Sequence, residues 1–204
     1  MKKLIEGIKD FRKTKRPGLL EHFDNIALAQ KPDAILVACS DSRVAPNLFA
    51  STSPGDMFVV RNIGNIIPPY KADMTETSIL SVFEFGLTNL PIKDIIICGH
   101  SNCGAMHAIL NDKIEFEGIS KWLASAKDAK SAVTLLPAGS NNEEKANAIS
   151  KLSILRQIDH LKTYPMIQQR LQQGDLKLHG WYFDIKNADV YTYDFSNQKY
   201  TLIE

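Results

Sequence analysis

Three short runs of apolar residues constrain the fold of this chain most strongly. They are DAILVAC at 33–39, MFVVRN at 57–62 and DIIICGH at 94–100. Each run is short and continuously apolar rather than alternating, which is typical of strands buried on both faces of a parallel sheet. Longer segments with helical patterns separate the runs. We therefore expect an α/β fold with a mostly parallel central β-sheet and helices on both faces.

The two ends of the chain are predicted to extend this sheet domain. Residues 1–30 have apolar positions at helical spacing and predict an N-terminal helical arm, broken at Pro17-Gly18. The C-terminal stretch LKLHGWYFDIKNADVYTYDF predicts a β-hairpin extension that turns near residues 186–189. The chain has 204 residues without an internal repeat or low-complexity segment, so we expect a single domain spanning residues 1–204.

Composition argues against several classes of function. Lys and Arg number 24 against 23 acidic residues, and a net charge of +1 gives no reason to expect a nucleic-acid or membrane-surface partner. No stretch approaches the ~20 apolar residues of a spanning helix, and the N-terminus lacks the unbroken apolar core of a signal peptide. We therefore expect a cytoplasmic protein. Its three cysteines, an odd number, argue against a disulfide framework.

Polar residues stand where each predicted strand ends. Cys39 ends the first run and Asp41 follows it, Arg61 and Asn62 end the second, and His100 ends the third. In parallel sheets, ligands bind outside the carboxyl ends of the strands. The sequence therefore predicts that these distant side chains share one crevice.

The stretch GHSNCG, residues 99–104, indicates a metal site. It places His100 three residues before Cys103, at a predicted strand-to-helix junction. A thiol in the first turn of a helix meets free N–H groups and the positive end of the helix dipole, which stabilise the thiolate. Cys39 on a neighbouring strand can supply a third ligand. Two sulfurs and one imidazole suit zinc and leave the fourth position open to water, so we expect one catalytic Zn²⁺ per subunit.

The pair Asp41 and Arg43 suggests what acts beside that metal. Arg43 can hold Asp41 ionised by charge pairing. An ionised, fixed carboxylate only accepts hydrogen bonds, so it would orient a zinc-bound hydroxide toward a substrate. Cys98, inside an apolar run, is expected to be a core residue. His107 competes as a ligand but lies deeper in its helix.

At these residues the sequence resembles the β-class carbonic anhydrases. CSDSRV, PGDMFVVRNIGNIIPPY and IIICGHSNCGAM match the motifs of that family in order and spacing, and the similarity continues through LHGWYFDI. The final third is similar to the bacterial enzymes that accompany cyanate degradation. The resemblance implies reversible hydration of CO2 to bicarbonate and a proton. It also implies that Cys39, His100 and Cys103 bind zinc and that Asp41 and Arg43 form the catalytic dyad.

The resemblance further implies a substrate pocket, an assembly and a subtype. The pocket residues of this chain would be Gln30, Phe58, Ile63, Phe85 and Gly104. Homodimers with exchanged N-terminal helices, often assembling into larger homo-oligomers, are typical of the family. In the closed, inactive form of these enzymes, the aspartate that corresponds to Asp41 is the fourth zinc ligand. Leu36 stands where the bicarbonate-inhibited bacterial subtype has a tryptophan, so we expect the plant-like subtype with Asp41 released from the metal at neutral pH.

Three alternative functions stay open at this point. A related hydrolase would use the same zinc on carbon disulfide or carbonyl sulfide, because access to the pocket rather than the ligand set distinguishes these substrates. A non-catalytic protein stabilised by zinc would need none of Gln30, Asp41 and Arg43. A cysteine-nucleophile enzyme would require a free thiol of low pKa.

Overall fold

The centre of the fold is a six-stranded sheet with the strand order β2-β1-β3-β4-β5-β6. It is seen in a computed structural model that describes residues 1–73, 76–112 and 114–204. The strands are β1 Ala34–Cys39, β2 Met57–Asn62, β3 Asp94–His100, β4 Lys177–Asp184, β5 Asp189–Asp194 and β6 Lys199–Leu202. The first four strands pair in parallel, and β5 runs antiparallel to β4 and β6. The predicted mostly parallel sheet and its C-terminal hairpin are therefore confirmed.

The strands differ in burial according to their place in the sheet. β1 and β3 lie inside the sheet and are buried along almost their whole length, which explains their continuously apolar sequences. β2 is an edge strand and is mostly half-buried or exposed, so the prediction that it is covered on both faces is wrong. The short strand β6, which the sequence did not indicate, adds an antiparallel edge beyond the hairpin.

Helices flank the sheet. They are α1 Lys2–Asp10, α2 Arg16–Ile26, α3 Pro46–Phe49, α4 Ser78–Asn89, α5 Gly104–Asn111, α6 Glu117–Leu123, α7 Asn142–Leu161 and α8 Pro165–Gln173. The longest, α7, begins at a capping box in which Asn141 accepts the N–H of Glu144 and the Glu144 side chain accepts the N–H of Asn141. In the part of the chain that the structure describes, no helix has both the length and the apolar character needed to cross a membrane.

The two faces of the sheet are covered unequally. The face that carries Ile35 and Ile97 packs against α4, α7 and α8. The opposite face carries Leu36 and packs against Val44 and the partly buried Phe49 of the short helix α3. The predicted helical cover is therefore present on both faces, but it is thick on one and thin on the other.

The N-terminal arm is one continuous helical segment. A π-helical turn, Phe11–Lys15, joins α1 to α2, and the predicted break at Pro17-Gly18 is wrong. Pro17 is the second residue of α2, which follows this π-helical turn directly. Its ring would crowd the carbonyl four residues earlier, at Lys13, and that carbonyl lies in the wider π turn. Large apolar side chains along the arm are exposed, namely Leu4, Ile5, Ile8, Phe11, Leu20 and Phe23.

Candidate metal centre

Three potential metal ligands converge at the carboxyl ends of β1 and β3. Cys39 is the last residue of β1, His100 is the last residue of β3, and Cys103 immediately precedes α5. Their ligand atoms all lie within 4.8 Å of one another, and the three residues are buried. The parallel register, in which Ala38 pairs with Cys98, brings the ends of the two strands together.

One ring nitrogen of His100 is left without a partner among the described residues. Its Nδ1 lies 2.9 Å from the carbonyl oxygen of Ser101, and Nε2 is buried with no hydrogen-bond partner. Because a carbonyl only accepts, Nδ1 carries the proton and Nε2 presents a lone pair. A buried polar atom of this kind is costly unless something binds it. Its position beside two thiols makes it suited to a metal cation.

The surroundings of Cys39 favour its thiolate. A hydrogen bond from Cys103 contributes most to lowering the pKa of the Cys39 thiol. Burial opposes this effect, while the backbone N–H groups of Asp41 and Gly64 reinforce it. The Gly64 N–H lies with its nitrogen 3.4 Å from Cys39 Sγ. Cys39 is therefore prepared to act as an anionic sulfur ligand.

The surroundings of Cys103 favour its neutral thiol unless a cation is nearby. Its hydrogen bond with Cys39 and its burial raise the pKa of the Cys103 thiol, against the N–H groups of Ala105 and Met106 in the first turn of α5. Two adjacent buried thiols hold one negative charge readily and a second one only when a cation balances it. Two sulfurs and an imidazole nitrogen thus fit a divalent cation of borderline softness.

Arg43 holds Asp41 beside this cluster. Its Nε and Nη2 donate to the two carboxylate oxygens of Asp41 at 2.9 and 2.8 Å, and its backbone N–H donates to Oδ1 at 3.0 Å. These bonds hold the pKa of Asp41 well below its usual range. Within the described chain, Asp41 does not join the group of converging ligand atoms. It stays ionised and accepts hydrogen bonds only.

Arg61 clamps the backbone on which these residues stand. Its guanidinium donates to the carbonyl of Cys39 at 2.9 Å and to the carbonyl of Asp41 at 2.7 Å. The sequence placed Arg61 at a strand end, but its contacts with the neighbouring loop could not be inferred from spacing. The clamp fixes the segment that carries both a ligand and the carboxylate.

Helix α7 supports the second ligand loop, and the sequence did not single out either residue that does so. Asn147 Oδ1 accepts the backbone N–H of Asn102 at 2.7 Å, and Ser150 Oγ donates to the carbonyl of His100 at 3.0 Å. Asn102 has a φ of +54° and offers its carbonyl to Arg43 at 3.1 Å. Polar residues three apart on a largely buried helix are the signal that would have pointed to them.

Cys98 is the core residue that the sequence predicted, and His107, the competing ligand, has another partner. Cys98 is completely buried in the core, and burial raises its pKa to about 12. His107 Nε2 lies 2.6 Å from Asn102 Oδ1. Neither belongs to the converging group among the described residues.

The five predicted pocket residues fall into two separate groups. Gly104 follows Cys103 directly, and Ile63 precedes Gly64, whose N–H meets Cys39 Sγ. These two pocket residues therefore adjoin the ligand cluster in the same chain.

The other three lie further down the sheet. Gln30 and Phe85 line one surface cavity, and the ring of Phe58 stacks on Phe85 with centroids 6.0 Å apart. Phe58 precedes Asn62 by four residues on β2, and Asn62 pairs with Cys39. At about 3.3 Å per residue, Phe58 lies roughly 13 Å from the level of the ligand cluster. One chain alone does not bring the five residues together.

Comparisons with known proteins agree with this geometry. A family model described as carbonic anhydrase matches residues 34–190. A carbonic anhydrase of Synechocystis sp. (strain ATCC 27184 / PCC 6803 / Kazusa) is 37% identical over 199 residues, which are 95% of this chain and 71% of that protein.

Solved structures show the same likeness. The β-carbonic anhydrase CcaA is 36% identical with a TM-score of 0.91, covering 100% of this chain and 92% of that chain. A chain from the crystal structures of two tetrameric β-carbonic anhydrases of the filamentous ascomycete Sordaria macrospora is 28% identical with a TM-score of 0.83, covering 93% and 94% of the two chains. The protein therefore belongs to the β class of the carbonic anhydrase family.

Proposed function

We propose that the protein is a zinc-dependent carbonic anhydrase that catalyses the reversible hydration of CO2 to bicarbonate and a proton. The observation that carries this proposal is the buried cluster of Cys39, His100 and Cys103, with its unpartnered Nε2, beside the ionised Asp41. A structural zinc site normally uses four protein ligands. Three ligands next to a fixed carboxylate favour catalysis instead, and the names of the relatives support the same activity.

One Zn²⁺ per subunit is proposed to bind Cys39 Sγ, Cys103 Sγ and His100 Nε2. Thiolate and imidazole are the ligands that zinc most often takes in proteins. When bound in such a site, zinc supplies Lewis acidity that yields a nucleophile from water near neutral pH. The serine carbonyl that accepts the Nδ1 proton of His100 keeps the ring oriented, as outer-shell partners of metal ligands do.

Asp41 is proposed to orient the nucleophile. Because its carboxylate accepts but does not donate, a hydroxyl group bonded to it must direct a lone pair elsewhere, toward the substrate. Arg43 occupies both oxygens and so keeps the carboxylate from the metal position. These contacts support the released, plant-like form that Leu36 led us to expect.

The CO2 pocket is proposed to form between two copies of the chain. Ile63 and the N–H of Gly104 would come from the subunit that holds the metal, and Gln30, Phe58 and Phe85 from its partner. CO2 is uncharged, so apolar walls suit it, while a backbone N–H and an amide can bond the oxygen that gains charge. The separation of the two groups within one chain supports this arrangement.

The N-terminal arm is proposed to exchange between subunits of a homodimer, which can assemble further. Its exposed apolar residues, Leu4 and Ile8 among them, provide a face for a second copy. The two neighbours from Sordaria macrospora are tetrameric. In this proposal residues 1–204 form one domain, of which residues 1–30 are the arm.

Stopped-flow CO2 hydration, with zinc content measured on the same preparation, tests the activity. We expect about one zinc per chain and hydration well above the buffer rate. Turnover of carbon disulfide or carbonyl sulfide without CO2 hydration would contradict the proposed substrate.

Mixing two defective variants tests the shared pocket. Cys103→Ser lacks a metal ligand, and Gln30→Ala lacks a pocket residue. In a mixed dimer one site combines intact parts from both chains, so dissociation and random reassociation should restore about a quarter of wild-type sites. No recovery after confirmed mixing would place Gln30 in the same subunit as the metal it serves.

A further inference from the structure

A single peptide group links Trp122 to the thiol of Cys39. The indole N–H of Trp122 in α6 donates to the carbonyl of Ile63 at 2.7 Å. The next N–H along the chain, that of Gly64, donates to Cys39 Sγ at 3.4 Å. The oxygen and the N–H belong to the same peptide unit, Ile63–Gly64, so the two bonds stand on its opposite sides.

This peptide unit is held by its neighbours. Gly64 has a φ of +77°, and a Cβ built there would lie 3.0 Å from the Cβ of Ala105. The side chain of Asn62 spans the turn, accepting from the N–H of Ile66 at 2.8 Å and donating to its carbonyl at 2.9 Å. The N–H of the unit is therefore fixed toward the sulfur, and its carbonyl toward the indole of Trp122.

Hydrogen bonds in series strengthen one another. A donor on a peptide carbonyl draws electron density from the amide, which makes the N–H on the other side a better donor. A stronger N–H···S bond takes electron density from the thiolate, so the sulfur gives less of it to a bound metal. Groups outside the ligand set tune a metal in this way. In a site with two thiolates and one imidazole, such withdrawal raises the Lewis acidity of the cation.

We propose that Trp122 is a positioning residue that tunes the donor strength of Cys39 through the Ile63–Gly64 peptide. This inference rests on the metal site of the proposed function. Trp122 touches neither the ligand atoms nor the substrate in this proposal; it acts through the amide between them. Its contact with Ile63 joins residues 59 apart in sequence, which is why spacing alone did not indicate it.

The test uses the full-length protein reconstituted with Co²⁺, whose sulfur-to-metal charge-transfer band reports the energy of the thiolate electrons. Trp122→Phe keeps an aromatic ring and removes the donor. Trp122→3-benzothienylalanine keeps the shape of the indole and also removes the donor. In both variants we expect one Co²⁺ per chain and a band shifted to longer wavelength, because a less strongly hydrogen-bonded sulfur gives up its electrons more easily.

Ile119→Ala is the matched control, since Ile119 and Trp122 line the same cavity beside Ile63. Its band should stay at the wild-type wavelength. An unmoved band in the benzothienyl variant, or an equal shift in Ile119→Ala, would overturn the role of Trp122. A wild-type protein that takes up no Co²⁺ or shows no sulfur band would overturn the proposed metal site and this inference with it.

Discussion

Two histidines at opposite ends of the central sheet have contrasting environments. His100, at the carboxyl end of β3, is buried, and its Nε2 is unpartnered in the described ranges. His179, in β4, lies near the amino end, is 36% exposed and meets Asp94 at 2.6 Å. Nearby, Arg170 contacts Asp175 at 3.0 Å. We call Asp94, Arg170, Asp175 and His179 the amino-end cluster.

The difference shows what distinguishes a ligand site from a group of charges. In the amino-end cluster, Arg170 and His179 each have an acidic partner, and both pairs are partly open to solvent, where such pairs contribute little free energy. In the ligand cluster of Cys39, His100 and Cys103, two thiols and a ring nitrogen are buried together, and burial and the hydrogen bond with Cys39 raise the pKa of the Cys103 thiol. The metal site is marked by a buried nitrogen without a hydrogen-bond partner beside two buried thiols, rather than by the residue types themselves.

The largest contrast is expected when each histidine is replaced. His100→Ala removes a proposed zinc ligand, so zinc content should fall far below one per chain and CO2 hydration should drop by more than about 100-fold. His179→Ala removes a partly buried contact with Asp94 and should change the free energy of unfolding by about 1 kcal/mol, with zinc retained. Elemental analysis and stopped-flow rates compare the two. Equal zinc loss in both variants would contradict the role of His100 as a ligand.

The next contrast concerns the two carboxylates. Asp41→Asn replaces an acceptor-only group by one that also donates, so we expect full zinc content and a kcat lower by about 100-fold or more. Asp94→Asn should leave kcat unchanged, because Asp94 faces His179 rather than the ligand cluster. The pair separates the proposed catalytic carboxylate from one at the opposite end of the sheet. A fully active Asp41→Asn protein would rule out the orienting role.

Two glycines have nearly equal backbone φ angles but differ in the space around them. Gly64 has a φ of +77° and Gly174, beside the amino-end cluster, has a φ of +76°. A Cβ at Gly64 would crowd Ala105, whereas one at Gly174 meets no described atom within 4 Å. We expect Gly64→Ala to destabilise the protein by about 2 to 3 kcal/mol and Gly174→Ala by about 1 kcal/mol.

Urea unfolding of the zinc-loaded proteins measures this difference. The Gly64 variant should also lose hydration activity, because its N–H would move away from Cys39 Sγ. Equal destabilisation of the two variants would show that the backbone angle alone, and not the close contact with α5, requires glycine at 64.

The smallest effect is expected when the hydrogen bond between α7 and the loop of Asn102 is removed. Asn147→Ala removes the acceptor for the N–H of Asn102 and should cost about 1 kcal/mol, with a modest loss of kcat. Asn147→Asp keeps an acceptor oxygen and should recover most of the rate. Asp175→Ala, which breaks a bond of Arg170 in the amino-end cluster, should leave kcat unchanged. If Asn147→Ala keeps the full kcat, the bond to Asn102 matters for folding alone.

The sequence predicted the interior of the fold and the ends of its strands well, for a physical reason. β1 and β3 are buried on both faces, and strands buried in this way have continuous apolar runs, which are a clear signal in the sequence. Parallel pairing then brings residues that follow those runs to one edge, which is how Cys39 and His100 could be placed together. Edge strands carry a weaker signal, so the exposure of β2 and the existence of β6 were missed.

What the sequence could not show depends on contacts between distant residues. Asn147 lies 45 residues from Asn102 and Trp122 lies 59 residues from Ile63, and each pair is joined by one hydrogen bond. The distance between Phe58 and the ligand cluster follows from the register of β1 and β2, which the spacing of residues along the sequence does not give. Pro17 was expected to break the arm, because the sequence did not indicate the π-helical turn that precedes it.

X-ray absorption at the zinc edge of the purified protein tests the proposed ligand set, because it reports the atoms bound to the metal. We predict two sulfurs at about 2.3 Å, one nitrogen at about 2.0 to 2.1 Å and one further light atom completing a tetrahedron. The two sulfurs would belong to Cys39 and Cys103 and the nitrogen to His100, and the further light atom would be exchangeable. A shell with fewer than two sulfurs, or one closed by four nitrogen and sulfur ligands from the protein, would contradict the account.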